Sequence, residues 1–261
     1  MKHPFLSTLL AAFCLVSGVA QSSAADVCQV ASPAKKNVLV ELFTSDGCDS
    51  CPPANKWLSN ALQGGDKALI PVSMHVTYWN YLGWKDGFSN AFFDTRQDAY
   101  AKTAVNKFSY TPELFTNGQE WRDWRDGNNA AIARSRQETA PVSINLTVRP
   151  QDKGNVSVDA AVAPAKGGDK VDLAASRLYL LLYEDSLTEH PNAGELRGAV
   201  LHHDHVIRDW KITDSIQAGK KVTQVFGIPP GANPKKLGIV AFVQGRDMKS
   251  VYQAVDAPLC F

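Results

Sequence analysis

Net charge is almost absent from this chain: 27 Lys and Arg stand against 26 Asp and Glu. A surface without an excess of either sign has no electrostatic grip on nucleic acid or an anionic bilayer, so neither is expected as a partner. Long apolar runs are also scarce. The run from Phe5 to Ala20 is shorter than the roughly 20 residues a spanning helix needs, and no later segment is long and apolar enough to cross a bilayer. Lys2 and His3 precede that run, and Ser22-Ser23-Ala24 or Ser23-Ala24-Ala25 follows it. This pattern predicts a removable export signal over 1–25 and a periplasmic or secreted protein. Phe13 before Cys14 is too bulky for lipoprotein cleavage. A second C-x-x-C pair is missing, which argues against structural zinc. Internal repeats and low-complexity tracts are missing too, and no motif predicts a cofactor.

Cysteine is sparse but informatively placed. Once Cys14 leaves with the signal, Cys28, Cys48, Cys51 and Cys260 remain, and four thiols allow three pairings. Spacing favours Cys48 with Cys51, which leaves a structural bridge from Cys28 to Cys260 across the whole fold. The alternative is two unpaired thiols in frayed ends, against which an oxidising compartment argues.

Hydrophobic periodicity divides the exported part into an expected domain over 26–140 and another over 141–261. The first alternates strand and helix: Asn37 to Phe43 and Ala68 to Val76 read as strands, Pro52 to Leu62 and Ser89 to Val105 as helices. Glu113 to Phe115 starts another strand, turned at Asn117-Gly118, and Gly127 to Gln137 reads as a last helix. Strand–helix–strand order predicts a sheet covered by helices. After Pro141, seven β-type runs separated by Pro- and Gly-rich turns predict an antiparallel sandwich.

Cys48-Asp49-Ser50-Cys51-Pro52-Pro53 follows the strand Val38 to Phe43 and opens a helix. Two thiols at this spacing reach each other across one turn and can cycle between dithiol and disulfide. Cys48, at the helix start, is the expected attacking sulfur, because unpaired N–H groups favour a thiolate there. Cys51, one turn further in, is the expected resolving sulfur. Asp49 opposes this, since its charge disfavours a second anion beside it. Glu41, in the preceding strand, is a candidate proton carrier for the exchange; a solvated sheet-end carboxylate is the alternative.

Four ordered stretches, Glu41-Leu-Phe-Thr-Ser-Asp-Gly-Cys-Asp-Ser-Cys-Pro-Pro-Ala54, His75-Val-Thr-Tyr-Trp-Asn-Tyr-Leu-Gly-Trp-Lys-Asp86, Arg96-Gln97 with Tyr100, and Tyr110-Thr-Pro112 with Asn117-Gly118, carry a resemblance. From about Val38 to its end the chain resembles a family of secreted thioredoxin-like proteins of unassigned function. The resemblance implies an α/β thioredoxin-like domain followed by a β-rich, sandwich-like C-terminal domain. In thioredoxin-type folds a cis proline packs beside the C-x-x-C pair, which casts Pro112 in that place and Thr111 as a backbone partner for extended substrate; an ordinary trans proline is the alternative. The Trp before the first cysteine and the Gly-Pro between the two are missing here, which argues against a general reductase.

Tyr78, Trp79 and Trp84, with Tyr81 and Phe88 nearby, can wall a substrate groove or form a small insertion core. His202-His203-Asp204-His205 on a strand would put His203 and His205 on one face, as a metal pair or as a polar face. The sequons at Asn145 and Asn155 matter only in a eukaryotic secretory pathway. The leading expectation is an exported thiol–disulfide oxidoreductase acting on protein thiols or disulfides. The alternatives are a copper- or zinc-handling protein using Cys48 and Cys51 with His75 or His205, and a binding module with a static disulfide.

Overall fold

The computed structural model describes residues 27–104, 107–126 and 130–261; the export signal expected over 1–25 lies outside them. Among the described residues the chain forms β1 (Cys28–Ala31), β2 (Val38–Thr44), α1 (Pro52–Gln63), β3 (Leu69–His75) and α2 (Ala91–Ala101). It continues through β4 (Glu113–Thr116), β5 (Gln119–Glu120), α3 (Ala130–Ser135), β6 (Val142–Gln151), β7 (Asn155–Pro164), β8 (Ser176–Glu184) and β9 (Leu187–Glu189). It ends with β10 (Leu201–His203), β11 (Val206–Asp214), β12 (Lys221–Gly227), β13 (Leu237–Gly245) and β14 (Val251–Pro258). No helix among the described residues is long and apolar enough to cross a membrane.

Local chemistry accounts for these elements. β2 is buried along its whole length, so its seven residues read as a continuous apolar run broken only by Glu41 and Thr44. β6 alternates buried and half-exposed residues, as a strand with one wet face must. α1 begins on Pro52 and Pro53, whose missing N–H groups cost nothing in a first turn. The Asn90 side chain caps α2 by accepting from the Phe92 N–H at 2.9 Å.

Eight strands form one sheet in the order β14-β13-β8-β11-β3-β2-β4-β5. β2 and β3 run parallel, and β11 joins β3 in parallel through Val206 opposite Ser73. The other neighbours pair antiparallel. A second, antiparallel sheet has the order β1-β6-β7-β12, and β9 with β10 makes a separate hairpin.

Side-chain alternation sorts the large sheet into two faces. One carries Leu39, Phe43, Tyr179, Leu181 and Phe242 against Phe93 and Tyr100 of α2. On the other, Val38, Val40 and Leu42 pack on Ala54 and Leu58 of α1. Further along that face Leu178, Leu180, Leu182 and Ile239 pack on Ile144, Val158 and Phe226 of the second sheet. Each large side chain buried this way is worth about 1.5–3 kcal/mol. Gly238 is needed on the first face: a Cβ there would fall 2.3 Å from the Tyr183 ring.

The expected α/β thioredoxin-like domain with a β-rich extension is therefore corrected. Strands β8, β11, β13 and β14, which the sequence assigned to a separate sandwich, hydrogen-bond onto the edge of β3 and continue its sheet. The result is a predominantly β structure with only short helices. The sequence hides this because periodicity says that a strand has a buried face, not which strand lies beside it.

Candidate functional site

β2 ends at Thr44, and Ser45-Asp46-Gly47 turn the chain so that the Cys48 N–H reaches the Ser45 carbonyl at 3.2 Å. The Cys51 N–H then reaches the Cys48 carbonyl at 3.2 Å, and Cys51 is the N-cap of α1. Two successive turns set the two Cα atoms 5.4 Å apart and the sulfurs are bonded. Asp49 and Ser50 are exposed, yet both cysteines are fully buried. Cys48, the expected attacking sulfur, is therefore not open to solvent in this form. The helix-end argument weakens as well. Pro52 and Pro53 remove two first-turn N–H groups, and the Ala54 N–H is spent on the Cys51 carbonyl at 2.9 Å.

Two distant segments are fastened to the motif. Gly47 lies so close to Trp79 that a Cβ on it would sit 2.9 Å from the Trp79 Cβ. From the other segment, Glu195 accepts the Asp49 N–H at 3.2 Å, His203 Nε2 lies 2.9 Å from Asp46 Oδ1, and Asp204 accepts from Ser59 of α1 at 2.6 Å. The two segments also meet each other, since a Cβ on Gly194 would contact the Cβ atoms of Leu82 and Trp84 at 3.6 and 3.8 Å. Both are thus fastened to the turn that carries the disulfide, and Ser50 Oγ lies 3.4 Å from Cys48 Sγ.

The Thr111–Pro112 bond is cis. Register places it at the same end of the sheet as the motif, because Glu113 of β4 lies opposite Phe43 of β2. Trp79 Nε1 donates to Thr111 Oγ1 at 2.7 Å, linking the aromatic loop to the proline loop. Tyr78 is exposed and donates to Gln97 Oε1 at 3.1 Å, whereas the half-buried Trp84 leaves its Nε1 unpartnered. Tyr78, Trp79 and Trp84 thus share one loop; Trp79 meets the motif, and Trp84 lies on the side facing Gly194. Gln97 Nε2 donates to the Tyr110 carbonyl and to Glu113 Oε2, each at 2.7 Å. Burial, with Glu120 nearby, pushes the Glu113 carboxyl up to about 7 despite the Gln97 bond.

Glu41 does not join the cysteines. Its carboxylate sits on the α2 face, accepting from Arg96 Nε at 2.5 Å and from the Tyr100 hydroxyl. Arg96 also bonds Gln244 Oε1 at 3.1 Å. The cysteine motif lies on the α1 side, so Glu41 belongs to a buried ion pair. Burial, and to a lesser degree Glu41, push the Tyr100 hydroxyl well above its usual value.

Cys28 and Cys260 are bonded, with Cα atoms 5.8 Å apart. The His202–His205 run is not one strand: β10 ends at His203, and His205 has a φ of 48°. His202 is exposed beside Thr188, whereas His205 Nδ1 lies 2.8 Å from the Pro71 carbonyl oxygen. The expected shared face of His203 and His205 is therefore corrected.

A second constellation joins His75 and His203, which the sequence offered as metal candidates with other partners, to two aspartates it did not single out. Asp46, His75, Asp86 and His203 converge with side chains 0–1 % exposed. His75 Nδ1 lies 2.7 Å from Asp86 Oδ2, which also accepts the Asp46 N–H at 2.9 Å. Burial works against charge on His75, but the Asp86 and Asp46 carboxylates together outweigh it and hold the imidazole pKa up; Asp86 is held down by His75 against its own burial. Asp46-Gly47 and Asp86-Gly87 both read as turn chemistry, which masked them.

A family model described as "Protein of unknown function (DUF1223)" matches residues 39–244. A search of curated proteins found no match. Among solved structures, protein AGR_C_4864 from Agrobacterium tumefaciens is similar at 22% identity with a TM-score of 0.56, over 87% of this chain and 96% of that one. HBP35 of Porphyromonas gingivalis is similar at 18% identity with a TM-score of 0.62, over 87% and 76%. At these identities the likeness is one of fold.

Proposed function

We propose that this chain, which belongs to the DUF1223 family of proteins of unknown function, is an exported thiol–disulfide oxidoreductase acting on protein thiols through Cys48 and Cys51. The observation that carries the reading is the bond between those sulfurs at the start of α1, with the Thr111–Pro112 loop at the same sheet end. A bridge across so few residues closes a small ring and contributes little chain-entropy stabilisation, so stability alone is a weak reason to keep it. The second pair, Cys28 with Cys260, has a structural reason. Two disulfides favour an oxidising, extracytoplasmic compartment.

The burial of the sulfurs shapes the mechanism. Exchange requires in-line attack of a thiolate on one sulfur, so the Trp79 and Glu195 segments must part before a partner thiol reaches Cys48. The electrons then pass from the partner dithiol to the Cys48–Cys51 bond, which breaks as the partner's disulfide forms; the reverse reaction starts from the reduced pair. Asp49 beside Cys48 disfavours a thiolate, and the proline-blocked helix start supplies few N–H groups to offset it. This predicts a stable disulfide and a reducing pair.

The burial also favours a second reading, a binding module with a static disulfide. Two measurements separate them. Cys51→Ala should accumulate mixed disulfides through Cys48, and the wild-type protein should catalyse insulin reduction in the presence of a dithiol. Absence of both, with a midpoint potential below about −300 mV, would establish the static module.

A further inference from the structure

We propose that Asp46, His75, Asp86 and His203 form a binding site for one divalent first-row transition metal, distinct from the cysteines. The four donors come from four segments: the turn before Cys48, the end of β3, the aromatic loop and β10. Asp46, His75 and Asp86 each place a ligand atom within 4.8 Å of the others. His203 Nε2 adds a fourth at 2.9 Å from Asp46 Oδ1.

The orphaned atoms point to a cation. Neither oxygen of Asp46, neither nitrogen of His203, nor Nε2 of His75 has a hydrogen-bond partner, although all are buried. Buried polar atoms are normally paired, so five in one cluster need an explanation. The approach of His203 Nε2 to Asp46 Oδ1 has hydrogen-bond length without hydrogen-bond alignment. Two donor atoms crowd this way when both face a common ion. Ligands about 2.0–2.1 Å from a tetrahedral ion stand about 3.3 Å apart. His203 Nε2 stands 2.9 Å from Asp46 Oδ1, near that value, while His75 Nδ1 is hydrogen-bonded to Asp86 Oδ2 and leaves Nε2 as its free ligand atom.

Charge argues the same way. Asp46 and Asp86 are both buried carboxylates, and buried charges are costly unless they are compensated. A dication cancels them. Imidazole with carboxylate suits zinc or ferrous iron; calcium and magnesium want oxygen alone, and copper(I) wants sulfur. In this form the sulfurs are bonded to each other and offer no thiolate.

The site has a mechanical consequence. Asp46 precedes Cys48 by two residues, and His203 ends the β10 strand of the covering segment. A bound ion would join the two and hold the disulfide closed.

Zinc and cobalt(II) titrations of the full exported chain, stripped with a chelator, test the proposal. One equivalent of each is expected, and the cobalt spectrum should lack thiolate charge transfer. His203→Ala and Asp46→Asn should each weaken binding by more than about 100-fold, beyond the loss typical of an outer-shell partner. His202→Ala, on the exposed side of β10, should bind as the wild type does. Cys48→Ser/Cys51→Ser should also keep its metal, so failure of the redox reading leaves this result untouched. Wild-type protein that binds neither ion overturns the proposal, whatever the variants do. So does metal lost with the cysteines, or retained at full affinity in a folded His203→Ala.

Discussion

Glu195 accepts a hydrogen bond from the backbone N–H of Asp49 at 3.2 Å, pinning a segment 146 residues away against the exposed rim of the C-x-x-C turn. Asp49 and Ser50 face solvent while the sulfurs beneath them do not. This bond is the outermost of the contacts that close the site, and the easiest to remove without disturbing a core.

Glu195→Ala should therefore unlatch the segment at small cost. One exposed hydrogen bond is worth about 1 kcal/mol or less, so reduction of Cys48–Cys51 by a small phosphine should quicken by up to about five-fold. The melting temperature should barely change. Reduction kinetics followed by thiol labelling check it; an unchanged rate means that the disulfide opens by another route.

The Glu41–Arg96 pair predicts a non-additive result. Glu41→Gln or Arg96→Met alone leaves a charge buried without its partner and should cost about 3–5 kcal/mol. The double variant Glu41→Gln/Arg96→Met removes both charges and should recover most of that loss. Urea denaturation of all three measures the coupling, and simple additivity would contradict the ion-pair assignment.

Glu113 predicts a pH dependence with a defined sign. Its carboxyl, ordinarily near 4.5, is pushed up to about 7 by burial, so the folded state holds the proton more tightly than the unfolded chain. That contribution is fully present below pH 4.5 and disappears as pH rises through 7. Glu113→Gln keeps a neutral side chain, so its stability should fall less than that of wild type between pH 4.5 and 8. Parallel denaturation curves across that range decide it.

The two disulfides should differ in thermodynamic weight. Cys28–Cys260 closes a separation of 232 residues, worth about 5 kcal/mol in the chain-entropy model, whereas Cys48–Cys51 spans only three, worth about 2 kcal/mol. Cys28→Ser/Cys260→Ser should melt at a clearly lower temperature than Cys48→Ser/Cys51→Ser. The reverse order would mean that the short bridge is the structural one.

Strand and helix positions were largely legible, because β2, β3, α1 and α2 carry strong local signals in apolar runs, apolar spacing and prolines. Their assembly was not. The pairing of β11 with β3 rests on one registered residue pair between segments more than a hundred positions apart, and no local pattern announces it. Glu41 shows the same limit: its apolar neighbours left a buried and a solvated carboxylate both open, and nothing nearby pointed to Arg96 as its partner on the α2 face. Cys48 and Cys51 were legible as a pair through spacing alone. The turn that holds them is fastened to Trp79, Glu195 and His203, which only the folded chain brings near.

Because Cys28 is welded to Cys260, everything between them behaves as a ring. A protease that nicked the 190–200 loop would open that ring without releasing a piece. The cut protein would migrate as a single species until a reductant was added, and only then fall into two fragments. New termini could be engineered there on the same logic, giving a rearranged chain in which the former ends lie internal.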